Sequence, residues 1–261
     1  MKRSKRLAIL IIGSTVLIAL ASCHRPTARN RLDEAQFPTV MLWAWERPED
    51  LSFLDSHQYG VAFLAQTLTL KGDEVVLIPR HQPLKLPPDT KVMAVTRIES
   101  QKTTGKRPAL SPNQRAQLVK LIVRTMELGN VAAIQIDFDA LVSERDFYRA
   151  LLQDLRAQLP DNVPLSITAL ASFCIGDRWL EGLPVDEAVP MIFRMGADDK
   201  PIKNMLASGR DFGEPLCRRS YGIASDEPLE MKFEKRRRVY VFNNHSWTKP
   251  DVDSLSQRIQ Q

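Results

Sequence analysis

The 261-residue chain predicts an α/β protein, a single-domain (β/α)8 barrel of the TIM type. Three observations carry this. Eight short apolar runs recur along the chain, and stretches with helical periodicity stand between them. The span from Cys23 to Gln261 is close to the roughly 250 residues of such a barrel. An open doubly wound sheet is the competing architecture. It favours a glycine-rich first turn for a phosphate, and "WAWERPED" has no glycine.

The first segment precedes any fold argument. In "MKRSKRLAILIIGSTVLIALASC", Lys2, Arg3, Lys5 and Arg6 make a positive start. The apolar run Leu7 to Leu20 that follows is shorter than the ~20 residues of a spanning helix. Residues 1–22 therefore read as a secretory signal. Its end, Leu20-Ala21-Ser22-Cys23, resembles the lipobox of bacterial lipoproteins; the alternative is an ordinary secretory signal with a chance cysteine. The resemblance implies cleavage before Cys23 and a diacylglycerol on its thiol. His24, in place of an Asp, implies an outer-membrane anchor facing the periplasm. Residues 23–37 are polar and aperiodic, as a tether would be.

Residues 38–261 hold the expected barrel. Its strands are predicted at 39–45, 60–66, 91–97, 131–139, 164–172, 187–195, 220–225 and 239–244. The stretch "TLTLKGDEVVLIPR" (67–80) reads as a β-hairpin inserted after the second strand, with Lys71-Gly72-Asp73 near its turn. Helices are expected over 111–129, with Pro112 near the start and Gly129 as stop, and over 143–160, with Ser143 as N-cap. A last one begins near Asp251.

Removing residues 1–22 takes four of 36 basic residues and none of 31 acidic ones, leaving 32 against 31. Little positive field remains, so nucleic acid is not an expected partner. The run "EKRRR" at 234–238 reads either as a polyanion patch or as a solvated lead-in to the next strand. With Cys23 acylated, Cys174 and Cys217 remain. An oxidising periplasm permits a disulfide between them; two separate buried thiols are the alternative.

Chemistry is most concentrated in "VAAIQIDFD" (131–139). Strand alternation puts Ala132, Ile134, Ile136 and Phe138 on one face and Ala133, Gln135, Asp137 and Asp139 on the other. In a closed barrel the second face points inward, with both aspartates nearest the carboxyl-end mouth, where enzymes of this fold keep their working groups. Neighbouring acids push one pKa upward. Other strands end similarly: Glu46 follows the first, Arg97 ends the third, and Ser166 and Thr168 sit on the fifth. Arg194 ends the sixth, and Asn243, Asn244, His245 and Trp247 follow the eighth. Acids, arginines, amides and tryptophans at one rim suit a glycan. The bland alternative is a buried plug in which Arg97 and Arg194 neutralise Asp137 or Asp139. Trp43 and Trp45 share a strand face and read as core before sugar platform. His57 and His81 lack metal-ligand spacing, and His245 and Ser246 point apart, so neither a metal nor any cofactor is expected.

"IQIDFD" resembles the fourth-strand signature of family 18 (chitinase-like) glycoside hydrolases, and "VPMIFRM" their sixth strand. The resemblance implies that Asp137 positions the substrate and that Asp139 stands where the family keeps its catalytic Glu. It puts Gln135 in place of an acid and Trp247 where the family has a tryptophan. Glu46 either supplies a general acid or caps a helix start through "ERPED". "WAWERPEDL", "AIQIDFDA", "SITALASFC", "VPMIFRMG" and "FNNHSW" together resemble an uncharacterised family of bacterial lipoproteins, a domain of unknown function related to those barrels.

The expected activity is hydrolysis of a glycosidic bond in a chitin-like or cell-envelope polysaccharide, peptidoglycan-like glycans included. Asp137, Asp139 and Glu46 are its candidate catalytic residues. Gln135, Arg97, Thr168, Arg194, Asn243 and Trp247 are candidates for binding the substrate. A non-catalytic glycan-binding or scaffold lipoprotein on a degenerate hydrolase barrel is the alternative.

Overall fold

The computed structural model describes residues 30–227, 231 and 233–259. The expected signal, Cys23 and residues 24–29 of the tether lie outside the described residues. In chain order the elements are α1 (Arg31–Glu34), β1 (Val40–Ala44), β2 (Glu49–Asp50), β3 (Tyr59–Lys71), β4 (Glu74–Pro79) and β5 (Leu84–Lys85). There follow β6 (Val92–Ser100), α2 (Pro112–Val123), β7 (Val131–Asp137), α3 (Arg145–Gln158) and β8 (Leu165–Leu170). The chain ends with β9 (Glu187–Met191), α4 (Asp199–Ala207), β10 (Ser220–Ala224), β11 (Arg238–Phe242) and α5 (Lys249–Ile259).

Eight of these strands form one parallel sheet in the order β1-β11-β10-β9-β8-β7-β6-β3, and β1 pairs back on β3 to close it. The closed barrel expected from the apolar runs is therefore present. Its helical shell is thinner than a full set: among the described residues, α2, α3, α4 and α5 follow β6, β7, β9 and β11. A 3-10 turn (Ala171–Cys174) follows β8 instead. There Cys174 is bonded to Cys217, tying this turn to the one before β10.

Local chemistry explains the elements. Ser111 caps α2 by accepting the Gln114 N–H at 3.0 Å. On α3, Phe147, Tyr148, Leu151, Leu152 and Leu155 are buried, the helical spacing of one apolar face. Ser143 does not cap this helix. It lies in a 3-10 turn whose Glu144 carboxylate accepts the Leu141 N–H at 2.8 Å. Thr248 and Asp251 cap α5 reciprocally.

The hairpin expected at 67–80 is present, but its first arm is not separate. β3 runs on past the barrel rim and returns as β4 through Gly72, whose φ of +55° suits a residue without Cβ. A bulge in the pairing of β3 with β6 falls between Leu64 and Gln66. It reverses which residues face inward. Gln66 consequently turns out to Thr96 and the Leu121 carbonyl on α2, at 3.0 and 3.1 Å.

Part of the expected tether belongs to the fold. Leu32 on α1 is fully buried and Phe37 nearly so, both in the apolar cluster that fills the barrel interior. They stop its amino end. Above them sit Met41, Trp43, Leu64, Met93, Val95, Val189 and Tyr240. Gly222 makes room for the tryptophan: a Cβ there would lie 3.1 Å from the Trp43 ring and 3.0 Å from the Pro190 oxygen.

A chain of hydrogen bonds crosses this interior. Trp43 Nε1 donates to Gln135 Oε1 (2.8 Å), Gln135 Nε2 to Ser166 Oγ (3.0 Å), and Ser166 Oγ to Glu187 Oε1 (3.1 Å). Tyr240 also donates its hydroxyl to Glu187, and Arg238 Nη1 lies 3.5 Å from Glu187 Oε2. A buried carboxylate is tolerable only with such partners.

Candidate functional site

The carboxyl ends of the strands gather most of the predicted rim. Asp137 is the last residue of β7 and stands in register with Arg97 on β6. Thr168 on β8 donates its hydroxyl to Asp137 Oδ1 at 2.7 Å. Asp137 is half-buried, and burial is the main reason its pKa is pushed up to about 6. The Thr168 hydrogen bond opposes the rise, Asp139 adds to it, and Arg97 opposes it.

Asp139 does not continue the strand. The backbone leaves the ladder after Asp137, and the Ala140 N–H turns back to the Phe138 carbonyl at 2.8 Å. Phe138 is buried outside the barrel, 5.1 Å from Tyr148 between ring centroids. Asp139 reaches solvent, yet crowding by the surrounding protein still raises its pKa, against Arg97 and Lys102.

Arg97 Nε pairs with Glu99 Oε1 at 3.0 Å. Both line a cavity of about 490 Å³ whose wall is the projecting β3–β4 hairpin, with Thr67, Ile78 and His81. Glu46 is exposed and lines the same cavity, as Asp137 and Asp139 do not. Arg97 thus stands between two groups of acids.

Aromatic rings close the other side. Phe193 and Phe242 stack at 5.7 Å with planes 7° apart, and Trp45 meets Phe242 edge-on at 6.3 Å. The Arg194 guanidinium lies 5.0 Å from the Phe242 centroid and pairs with Asp226 at 3.1 Å. Arg194 therefore does not neutralise Asp137 or Asp139, as the plug alternative required. Phe193 and Phe242 were missed in the sequence, although alternation from Met191 and Tyr240 places both inward.

Three predicted binding residues are committed to the fold. Gln135 is fully buried, with both ends of its amide held by Trp43 and Ser166. Asn243 is buried, accepts from the Ser225 hydroxyl and contacts His245 Nδ1 at 3.2 Å. Trp247 is only 4% exposed. Its Nε1 donates to the Trp43 carbonyl at 2.9 Å, and its N–H to Glu49 at 2.9 Å. All three hold the rim together from beneath and present no free group to a ligand. Glu49, also unpredicted, is a buried carboxylate whose pKa burial raises.

A parallel barrel with acids and aromatic rings at its carboxyl-end mouth has the fold of the chitinase-like barrels. The solved structure titled putative Chitinase A from Streptomyces coelicolor matches with a TM-score of 0.52 and 10% identity, covering 86% of this chain and 96% of that one. At that identity the likeness shows the fold. The chitinase domain of the spore coat protein CotE from Clostridium difficile matches more loosely, with a TM-score of 0.42 and 13% identity over 87% of this chain and 68% of that one. Residues 88–193 match the family model described as "Domain of unknown function (DUF3142)", so the resemblance to an uncharacterised family is shown over that span. No curated protein matches the chain.

Proposed function

We propose that this protein takes a glycan at the barrel mouth and hydrolyses a glycosidic bond, as a lipoprotein anchored in the outer membrane and facing the periplasm. One observation carries the catalytic reading: Asp137 is a half-buried carboxyl with a pKa of about 6, beside a second carboxyl, Asp139, whose pKa is also raised. Carboxyls whose pKa values are raised by burial suit proton transfer at a leaving group.

In this reading a protonated Asp139 gives its proton to the glycosidic oxygen as the bond to the anomeric carbon breaks. Ionised Asp137 faces the positive charge developing on the ring, and Thr168 holds it in place. Water then adds to the anomeric carbon and returns a proton to Asp139. Phe242 and Trp45 offer faces for a sugar ring, and Arg97 and Glu46 meet hydroxyls or substituents from the cavity side. The periplasmic location is supported by the lipobox-like Leu20-Ala21-Ser22-Cys23 and by the disulfide, which belongs to oxidising compartments.

The test is release of reducing ends from chitin oligomers and from peptidoglycan fragments. The parent protein is expected to cleave one of the two sets, and Asp139→Asn to lose about 10²-fold or more in rate. Equal rates for parent and mutant overturn the role of Asp139; loss on Glu46→Gln alone moves it to Glu46.

A second reading has its own observation. Gln135, which the resemblance sets in place of an acid, is locked between Trp43 and Ser166 and carries no charge. This favours a glycan-binding protein without turnover, which predicts saturable binding of the same oligomers with no reducing ends released.

A further inference from the structure

The mouth is one end of the barrel; the other is where the chain enters. Asn30 precedes α1, which stops the amino end, and the segments leading into β10 and β11 reach the same end. A cavity of about 330 Å³ lies there, lined by Asn30, Arg218, Arg219, Arg236 and Arg237 with Asp33 and Glu234.

The charges there are not all available. Arg237 is paired with Asp211, and Arg238 with Glu187 and Asp33. Arg218 donates to the Phe212 carbonyl and lies 3.9 Å from Asp211. Arg219 donates to the Asp186 backbone carbonyl and, among the described residues, forms no ion pair. Lys235 and Arg236 are exposed on the turn before β11 and, among the described residues, have no bonded partner. Of the four cations in "EKRRR", Arg237 and Arg238 serve the fold, and Lys235 and Arg236 point to solvent as a lead-in to β11 would.

The linker limits where this face can be. Six residues lie between Cys23 and Asn30, and the seven Cα-to-Cα steps of that stretch, fully extended, reach at most about 25 Å. An acylated Cys23 would hold the basic end within that distance of the bilayer, where fluctuations bring it inside the ~10 Å range of unscreened charge.

We propose that the amino end of the barrel docks on the anionic phospholipid headgroups of the leaflet holding Cys23, through Lys235 and Arg236, so that the mouth faces away from the membrane. The proposal rests on the acylation of Cys23 proposed above. Each cation near an anionic surface is worth about a fivefold preference.

The test uses the full processed chain, with the lipid on Cys23 checked by mass spectrometry. It is reconstituted in vesicles of pure phosphatidylcholine, or of phosphatidylcholine and phosphatidylglycerol in equal parts. Limited acetylation reports Lys235, with the exposed Lys102 beyond β6, at the mouth end, as control. The expected result is about fivefold or greater protection of Lys235 on the anionic vesicles. High salt and Arg236→Glu should each remove it, and Lys102 should react equally on both. Equal reactivity of Lys235 on both vesicles, with Cys23 acylated, overturns the docking and leaves the anchor standing. A Cys23 without lipid overturns both.

Discussion

Asp137 answers two opposing demands. Burial and Asp139 favour its proton, while Thr168 and Arg97 favour its charge, and the balance lies near pH 6. Removing the Thr168 hydrogen bond takes away support for the ionised form. Thr168→Val should therefore shift the Asp137 titration upward, as read by carboxyl ¹³C NMR. The same shift links to stability. An unfolded Asp titrates near 4, so between there and about 6 the folded state binds more protons and loses stability as pH rises. The loss is complete above the folded pKa and amounts to at most about 3 kcal/mol. Asp137→Asn should accordingly raise Tm at neutral pH, with the gain vanishing towards pH 4. An equal gain at both values would contradict the assignment. Alternation made the inward face of Asp137 legible from sequence. It could not place Asp139, because where a strand leaves its ladder depends on neighbours that one segment does not contain.

At the scale of elements, apolar runs marked all eight barrel strands, and Lys71-Gly72-Asp73 marked the hairpin turn. The bulge between Leu64 and Gln66 left no comparable mark, since both arms of β3 read as ordinary strand. The cysteines left two outcomes open because pairing depends on where two turns distant in sequence come to rest. The Cys174–Cys217 bridge closes a loop of 43 residues, for which chain entropy suggests about 4 kcal/mol. The double variant Cys174→Ala/Cys217→Ala should lose stability of that order in denaturant unfolding, with the greatest loss of hydrogen-exchange protection around residues 171–174 and 215–218. A loss within ~0.5 kcal/mol would mean the turns are held by other contacts. Gln114 serves the hairpin in a different way. Fully buried, it donates to the Gly72 and Glu74 carbonyls and accepts from Leu110. Gln114→Ala should cost about 1–3 kcal/mol by leaving these groups unsatisfied.

The whole molecule is a barrel whose two ends differ in chemistry, joined by a polar line through its interior. Glu187 is the centre of that line, shared by Ser166, Tyr240 and Arg238. Glu187→Ala strands a buried arginine and should cost about 3–5 kcal/mol, visible as a fall in Tm without any change in what binds at the mouth. Sequence length and strand count made closure legible, but this line was not: its members are scattered over five strands and meet only through register. The same holds for the aromatic wall of Phe193, Phe242 and Trp45. Both readings of function need that wall, since hydrolase and binder alike must first hold a glycan at the mouth. The most direct measurement is calorimetric titration of Asp139→Asn with chitin oligomers and peptidoglycan fragments, repeated with Phe242→Ala added. Saturable binding of one of the two glycans is expected, weakened about tenfold by loss of the ring. Absence of binding to either, or binding indifferent to Phe242, would contradict it.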